Sequence, residues 1–498
     1  MKKYLMAIDA GTGSVRAVLF DVEGNQIGCS QHEWTHSEDP RFPGSMDFDW
    51  TFNWKLASSC VRNVLSETGI DPADIAAIST TCMREGILLY DQDGNEIWAC
   101  ANVDARSTDE VAELIRMDPD LELALYQKSG QSYALNAIPR ILWVKNNLPE
   151  IYEKTAKVGM FNDWLIYKLT GVLAVEPSNG STTGLLDLQT RTWDTDIAAK
   201  CHLRTDIFPD VLECGSIAGA VTAKGAAETG LAEGTPVVVG GGDCQLGTIG
   251  VGACKPGEAA VFGGSFWQYE FNTDSGKTDP YGRVRVNCHA VPGVWQYEAL
   301  AFKPGLVMRW FRDGFCQEEK RKAKEIGDDP YNLMNREAEK IPAGCYGMMC
   351  CFSDVMNFIN WKHAAPTFTN FELLPEKFNK YTFYRSILEN TAMLVKGHIE
   401  LVKEATGNEP DKLIFAGGAS VSDLWSQILA DVTGKTVVTP VVKEATALGA
   451  AILAGYGVGI YPSIAEGAAR CAKVDKTFTP NLENKKIYDE MYPVWREV

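Results

Sequence analysis

The chain has 498 residues, of which 45% are hydrophobic and 22% are charged, a composition typical of folded globular proteins. Its net charge of −18 disfavours nucleic acids and anionic membrane surfaces as partners, because both attract basic surfaces. A chain of this length is longer than a single hydrophobic core usually accommodates, which predicts two domains or two lobes.

The 14 cysteines are scattered, without CxxC pairs or the His-flanked spacing of zinc sites, which predicts reduced thiols. Asp9 cuts the first apolar stretch short, so no signal peptide is expected. The apolar run at 445–461 is short and Gly-rich, which favours a buried helix over a membrane span. We therefore expect a soluble, cytoplasmic protein with no nucleic-acid partner and no membrane partner.

The first elements predicted from the N-terminus form a β-meander. Residues 4–9 are strand-like, "GTGS" has turn chemistry, "VRAVLFD" is a second strand, and "EGN" turns into a third. A helix is predicted over Trp50–Thr68, and the strand "IAAISTTC" precedes "MREGILLYD".

The second half of the chain repeats this theme. "TPVVVGGGDCQLG" at 235–247 predicts an apolar strand that ends in glycines and an aspartate. "GEAAVFGGSFWQYEF" at 257–271 predicts a Gly-centred hairpin, and "KLIFAGGAS" at 412–420 predicts a strand that runs into a Gly turn. The repetition predicts a duplicated α/β fold with a cleft between its halves and a boundary near 247–257.

The first Gly turn, "DAGTGS", has the chemistry of a phosphate site. Glycines bring several backbone N–H groups to one point, and Asp9 can hold Mg²⁺ through water. Thr12 and Ser14 add hydroxyls, and Arg16 adds a fixed positive charge. A plain hairpin turn with a capping aspartate is the alternative. The chain contains no GxxxxGK[ST], and "GTGSVR" leads to a strand, so P-loop and Rossmann sites are disfavoured.

Two further Gly turns favour the phosphate interpretation, although each alone can be structural. The second turn offers another group of backbone amides, and a base or ribose can lie against the third. The residues concerned are Gly263, Gly264 and Ser265 in the second turn and Gly417, Gly418 and Ala419 in the third.

Two acidic positions suggest chemistry beyond nucleotide binding. Asp243 ends an apolar strand, where it can take the proton from a substrate hydroxyl that attacks a γ-phosphate. Its alternative role is a helix N-cap. Arg84 and Glu85 can bind a polyol by donating to one hydroxyl and accepting from its neighbour, and the alternative is a surface ion pair.

Together these segments resemble the FGGY carbohydrate kinases from residue 4 to about residue 470, in "DAGTGSVRAVLFD", "MREGI", "DWLIYKLTG", "GGGD", "FAGGAS…LWSQILADVTG" and "KEATALGAAILAG". The resemblance implies two actin-like ATPase (ribonuclease H-like) domains flanking a catalytic cleft, at residues 1–248 and 249–498. It also implies ATP and Mg²⁺ as cofactors.

The resemblance assigns roles to matching positions. It implies a first phosphate motif that holds Mg²⁺, a second phosphate motif, an adenosine motif, and a substrate set in which Asp243 is the base. In that order the residues are Asp9, Thr12, Gly13, Ser14 and Arg16; Gly263, Gly264 and Ser265; Gly417, Gly418 and Ala419; and Arg84, Glu85, Val103, Asp243 and Gln245.

Departures from the family pattern bear on the substrate. Val103, Cys244 and Leu135 replace residues common in glycerol and pentulose kinases, which argues against glycerol and weakens a standard pentulose assignment. Runs such as "IWACANVDAR" are similar to a member that phosphorylates the terminal hydroxyl of a small polyhydroxylated ketone. The alternatives are a kinase for a ketopentose or related polyol and an actin-like or chaperone-like ATPase without sugar transfer. Homodimerisation is left open.

Overall fold

The computed structural model describes residues 3–361 and 365–498, and strands and helices follow one another along both ranges. The strands are β1 (Tyr4–Ala10), β2 (Ser14–Asp21), β3 (Gln26–Glu33), β4 (Ile75–Cys82), β5 (Ile87–Tyr90), β6 (Glu96–Cys100), β7 (Lys157–Met160), β8 (Leu186–Asp187), β9 (Thr192–Trp193), β10 (Ile217–Ala220), β11 (Pro236–Gly242), β12 (Ala259–Gly263), β13 (Trp267–Thr273), β14 (Arg285–Cys288), β15 (Trp295–Ala301), β16 (Met349–Cys351), β17 (Thr367–Thr369), β18 (Lys412–Ala416), β19 (Thr436–Pro440) and β20 (Val474–Phe478).

The helices are α1 (Trp50–Thr68), α2 (Thr108–Met117), α3 (Leu121–Ser129), α4 (Ala137–Asn147), α5 (Pro149–Lys154), α6 (Phe161–Thr170), α7 (Pro177–Gly180), α8 (Thr195–Lys200), α9 (Ala223–Thr229), α10 (Asp243–Gly250), α11 (Pro304–Phe315), α12 (Gln317–Ile326), α13 (Pro330–Ala338), α14 (Lys380–Thr406), α15 (Asp423–Thr433), α16 (Ala445–Gly457), α17 (Ile464–Cys471) and α18 (Leu482–Glu497).

The chain forms two compact units, and each unit is assembled from several segments. The first comprises Met1–Pro256, Asn272–Gln296 and Glu444–Lys473, and the second comprises Gly257–Phe271, Tyr297–Lys443 and Val474–Val498. The predicted division at 248/249 differs from this packing. The reason is that α16, although late in the sequence, packs against α10 and β1 of the first unit.

The central sheet of the first unit has the strand order β10-β11-β4-β1-β2-β3. The strands β1, β2 and β3 pair antiparallel in sequence, which confirms the predicted meander. The strand β4 pairs parallel with β1, β11 pairs parallel with β4, and β10 pairs antiparallel with β11. The parallel strands bring the carboxyl ends of β1, β4 and β11 to one edge of the sheet.

The second unit repeats this topology. Its sheet contains β15, β13, β12, β18, β19 and β20 as neighbours in that order. The hairpin β12–β13 is antiparallel, β18 is parallel to β12, β19 is parallel to β18, and β20 is antiparallel to β19. Each of these strands has a counterpart in the first unit, which confirms the predicted duplication of an α/β fold.

Strand β1 is covered on both faces, which explains its continuous apolar sequence. Met6 and Ile8 belong to the cluster that includes Val61 and Val64 of α1. The other face meets α16, because a Cβ added at Gly455 would lie 3.1 Å from Leu5 Cδ1. Burial on both faces fixes the end of β1, and with it the position of Asp9.

Helices α10 and α16 approach at glycines, and we expect a larger side chain there to be destabilising. A Cβ at Gly449 would overlap the carbonyl oxygen of Leu246. Gly449→Ala should lower the free energy of unfolding by about 1–3 kcal/mol or more, because backbone must move to admit the methyl group. Urea unfolding measures this effect. Gly314→Ala is the control, since its Cβ would meet open space in α11, and equal stability of the two variants would contradict this packing.

Two expectations from composition concern cysteines and membrane spans. All 14 cysteines lie within the described residues, and none forms a disulfide. Over the same ranges, none of the helices has both the length and the apolar character needed to cross a bilayer. The apolar run that begins at Ala445 instead forms α16, whose central residues are buried.

Candidate functional site

The first Gly turn lies between β1 and β2 and is fixed through its carbonyl oxygens. The indole N–H of Trp34 donates to Gly11 O at 3.0 Å and to Thr12 O at 3.2 Å. The backbone N–H of Trp34 donates to Gly13 O at 3.1 Å. A ring nitrogen of His36 lies 2.7 Å from Thr12 O. With these oxygens engaged, Thr12 and Gly13 remain exposed and accessible to a ligand.

Asp9 lies beside this turn in a crowded electrostatic setting. It is 7% exposed, and Arg16, its register partner on β2, places Nε 3.6 Å from Asp9 Oδ2. Arg16 also forms an ion pair with Glu444. Burial raises the pKa of Asp9 to about 7; Arg16 opposes the increase, and the charges of Asp243 and Glu444 add to it.

The chemistry around Asp9 fits Mg²⁺. The anionic groups that act on it are carboxylates, and carboxylate oxygens are ligands that Mg²⁺ accepts. Burial is the main cause of the raised pKa of Asp9, and a divalent cation beside the carboxylate would favour its ionised form.

The "MREG" segment follows β4 and holds its two charged side chains in a strained turn. Gly86 N donates to Arg84 O at 2.9 Å, and Glu85 between them has φ of 66°, a conformation that non-glycine residues rarely adopt. A Cβ at Gly86 would overlap the ring of Phe161. Arg84 is 5% exposed, so the adjacent pair is not the surface ion pair that was the alternative.

Asp243 is the first residue of α10, directly after β11. Its side chain is 39% exposed, and Arg84 Nε lies 3.5 Å from Asp243 Oδ1. Gly242 occupies the N-cap position, and Asp243 Oδ1 accepts a hydrogen bond from Cys244 N at 2.8 Å in the first turn of α10. A Cβ at Gly240 would overlap the carbonyl oxygen of Thr80, and one at Gly242 would lie 2.7 Å from Gln245 Oε1. Close approach to β4 therefore requires the glycine run and places Asp243 near Arg84.

The other two predicted substrate residues differ in exposure. Val103 is 49% exposed, and its neighbour Asn102 donates from Nδ2 to Thr12 Oγ1 at 3.0 Å, which brings this segment to the first Gly turn. Gln245 is fully buried, and neither amide atom has a hydrogen-bond partner within residues 3–361 and 365–498. The substrate roles of Val103 and Gln245 stay predictions.

In the second unit, the two remaining Gly turns border one cavity of about 430 Å³. A Cβ at Gly417, where φ is 87°, would lie 2.7 Å from Gly263 O, so the two turns are in backbone contact. Residues from both turns and from α11, α13 and α15 line the cavity, including Gly263, Gly264, Ser265, Arg309, Arg312, Tyr331, Asn332, Asn335, Gly418, Ala419 and Trp425.

Sequence reasoning missed residues that hold the predicted ones in place. Arg140, in α4, is 4% exposed and donates to the carbonyl oxygen of Glu85 and, at 2.8 Å, to that of Asn102. It therefore ties the strained turn to the segment that carries Val103. Glu444 lies in the "KEATALG" run of the family resemblance, which was the available signal. Arg309 and Arg312, which line the cavity of the second unit, lie in "MRWFRD", another run of the family resemblance, whereas Tyr331 had no such signal.

Comparisons with known proteins agree with this arrangement. The N-terminal and C-terminal domain models of the FGGY family of carbohydrate kinases match residues 4–250 and 273–458. The chain is 50% identical over 496 residues to the autoinducer-2 kinase of Salmonella typhimurium, covering 99% of this chain and 94% of that protein. It is 49% identical over 498 residues to the autoinducer-2 kinase of an Escherichia coli strain, covering 100% and 94%.

Solved structures of sugar kinases share the fold. The xylulose kinase from Rhodospirillum rubrum superposes with a TM-score of 0.88 at 23% identity, covering 99% of this chain and 98% of that one. The Plasmodium falciparum glycerol kinase with ADP gives 0.86 at 20% identity, covering 99% and 97%. The predicted fold class, with two actin-like (ribonuclease H-like) domains, is confirmed.

Proposed function

The chain belongs to the FGGY family of carbohydrate kinases, and we propose that it transfers the γ-phosphate of ATP to the terminal hydroxyl of linear, hydrated autoinducer-2. One observation carries the choice of substrate: relatives named autoinducer-2 kinase are about 50% identical over nearly the whole chain. The departures at Leu135, Val103 and Cys244 support a substrate other than glycerol.

Asp243 acts as the base in this proposal. Its carboxylate takes the proton of the substrate hydroxyl while the hydroxyl oxygen forms a bond to the γ-phosphorus. The bond to the bridging β–γ oxygen breaks, and ADP leaves. Arg84, whose Nε lies 3.5 Å from Asp243 Oδ1, orients the carboxylate before transfer. Arg84 and Glu85 bind hydroxyls of the polyol by donating and accepting, and Val103 and Gln245 complete the substrate set.

The nucleotide is assigned to the Gly turns. The cavity bordered by Gly263–Ser265 and Gly417–Ala419 accepts the adenosine and part of the phosphate chain, because Gly264 and Gly418 leave backbone uncovered by a Cβ. Thr12, Gly13, Ser14 and Arg16 offer further phosphate contacts. Asp9 would hold Mg²⁺ through water, and that ion, when bound, neutralises charge on the phosphates. Use of ATP accords with the predicted cytoplasmic location.

A substrate panel tests the proposal. Purified protein with ATP and Mg²⁺ is given autoinducer-2 precursor, xylulose, ribulose, glycerol or no acceptor, and ADP release is followed. We expect fast turnover with autoinducer-2 alone. Turnover confined to a pentulose would replace the substrate and keep the kinase, whereas equal ADP release without an acceptor would favour the actin-like or chaperone-like ATPase.

A further inference from the structure

A second arginine contacts Glu85 from a distant part of the sequence. Arg285 begins β14, which belongs to the first unit, and its side chain is 1% exposed. Its Nη2 donates to Glu85 Oε1 at 2.7 Å, across 200 residues of sequence. A guanidinium removed from water to this extent needs an anionic partner, and Glu85 supplies it.

Arg285 is itself held by a buried amide. Its Nε donates to Gln131 Oε1 at 2.8 Å, and Gln131 is fully buried. The amide nitrogen of Gln131 donates to Val286 O at 3.0 Å and to Asn287 Oδ1 at 3.0 Å. Because these acceptors engage the nitrogen, the amide must present its oxygen to Arg285. The guanidinium therefore has one orientation, set by its own strand.

The position of Glu85 decides that of Arg84. Arg84 Nε lies 3.9 Å from Glu85 Oε1 and 3.5 Å from Asp243 Oδ1, between the two carboxylates. Arg285 holds the same oxygen of Glu85 from another direction. Without Arg285, Glu85 would be left with Arg84 as its main cation and would draw it away from Asp243.

We propose that Arg285 is a positioning residue, which fixes the Glu85 carboxylate so that it can accept a hydrogen bond from a substrate hydroxyl and keeps Arg84 available to Asp243. The inference rests on the proposed function in that Glu85 is taken to bind the polyol. It explains why a fully buried arginine occurs in a strand whose neighbours Val284 and Val286 are buried and apolar.

Kinetics of four variants test this role: Arg285→Gln, Arg285→Lys, Glu85→Gln, and Arg285→Gln combined with Glu85→Gln. Arg285→Gln should raise the KM for autoinducer-2 roughly 100-fold, because the polyol loses an aligned acceptor, and should leave the KM for ATP within about twofold. Lysine should restore part of the loss, since an ammonium can pair with Glu85 but lacks the guanidinium fork that also reaches Gln131. The double variant should resemble Glu85→Gln, because Arg285 acts through that residue.

Arg283→Gln is the matched control, since Arg283 pairs with Asp279 at 2.9 Å, and its kinetics should match the wild type. An Arg285→Gln protein that melts early but keeps its KM would overturn the inference, as would multiplicative effects in the double variant. If Arg285→Gln does not fold, Arg285→Lys and the double variant, which removes both charges of the pair, still test the role of Arg285. Should the wild type act on a pentulose instead, autoinducer-2 fails as substrate while the same comparison on that pentulose tests Arg285.

Discussion

Asp243→Asn is expected to reduce kcat by about a thousandfold or more while leaving ATP binding intact. An asparagine has nearly the same shape, but its amide cannot take up the proton that the attacking hydroxyl must lose. The buried Arg84 loses one carboxylate partner in this variant but keeps Glu85, so its charge is not left unpaired. Stopped or coupled ADP-release assays measure kcat, and calorimetric titration measures the affinity for ATP.

The control is Asp274→Asn, the same chemical change at an exposed position in the first unit. Its turnover should equal that of the wild type. A kcat for Asp243→Asn within about tenfold of the wild type would remove Asp243 as the base. Loss of ATP binding together with activity would instead indicate a structural role.

Asp9→Asn is expected to abolish Mg²⁺-dependent turnover and, unusually for a site residue, to raise stability at about pH 8 without Mg²⁺. The pKa of Asp9 is raised from 3.8 to about 7, first by burial and then by Asp243 and Glu444 against the opposing charge of Arg16. Asparagine carries no charge, so the folded state no longer holds a buried carboxylate beside two others. Arg16 keeps Glu444 as its partner.

The sign of the effect follows from proton binding. Between the unfolded pKa of 3.8 and the folded value of about 7, the folded protein holds a proton that the unfolded chain has lost. The stability that protonated Asp9 allows is fully present below the pKa of the unfolded state, and it is lost as pH rises through the pKa of the folded state. Ionisation of Asp9 in the folded state therefore lowers the free energy of unfolding by on the order of 4 kcal/mol at about pH 8. Asp9→Asn should regain this amount, because asparagine does not ionise.

Urea unfolding of both proteins at about pH 6 and about pH 8 without Mg²⁺ checks the stability prediction, and an Mg²⁺ titration of turnover checks the activity. The stability difference between variant and wild type should grow with pH. A variant that is less stable at the higher pH, or that keeps the Mg²⁺ response, would contradict the role of Asp9.

Local patterns predicted the elements that carry the site. The helix expected at Trp50–Thr68 has those bounds, because Asp49 accepts from Phe52 N at its start and Gly69 ends it with φ of 66°. The hairpin at 4–21 also occurs as predicted, and the one predicted at 257–271 occurs at 259–273, since each couples apolar strands through a Gly turn. These features depend on neighbouring residues and are legible in sequence.

Long-range contacts were not predictable from such patterns. Helix α16 is apolar on every side, so no polar face indicated that it packs with the first unit. Arg285 donates to Glu85 although 200 residues separate them in the sequence. A charged residue in an apolar strand does not by itself indicate which residue it pairs with. Arg140 likewise contacts backbone oxygens, and because every residue has one, the sequence does not indicate which of them Arg140 binds.

The most direct test follows the phosphate itself, using ATP labelled with ³²P at the γ-position and autoinducer-2 as acceptor. We expect label in an organic product that forms only with autoinducer-2, requires Mg²⁺ and is absent with Asp243→Asn. Label released as inorganic phosphate at the same rate with and without autoinducer-2 would contradict it, because the protein would then be an ATPase and not a kinase of this substrate.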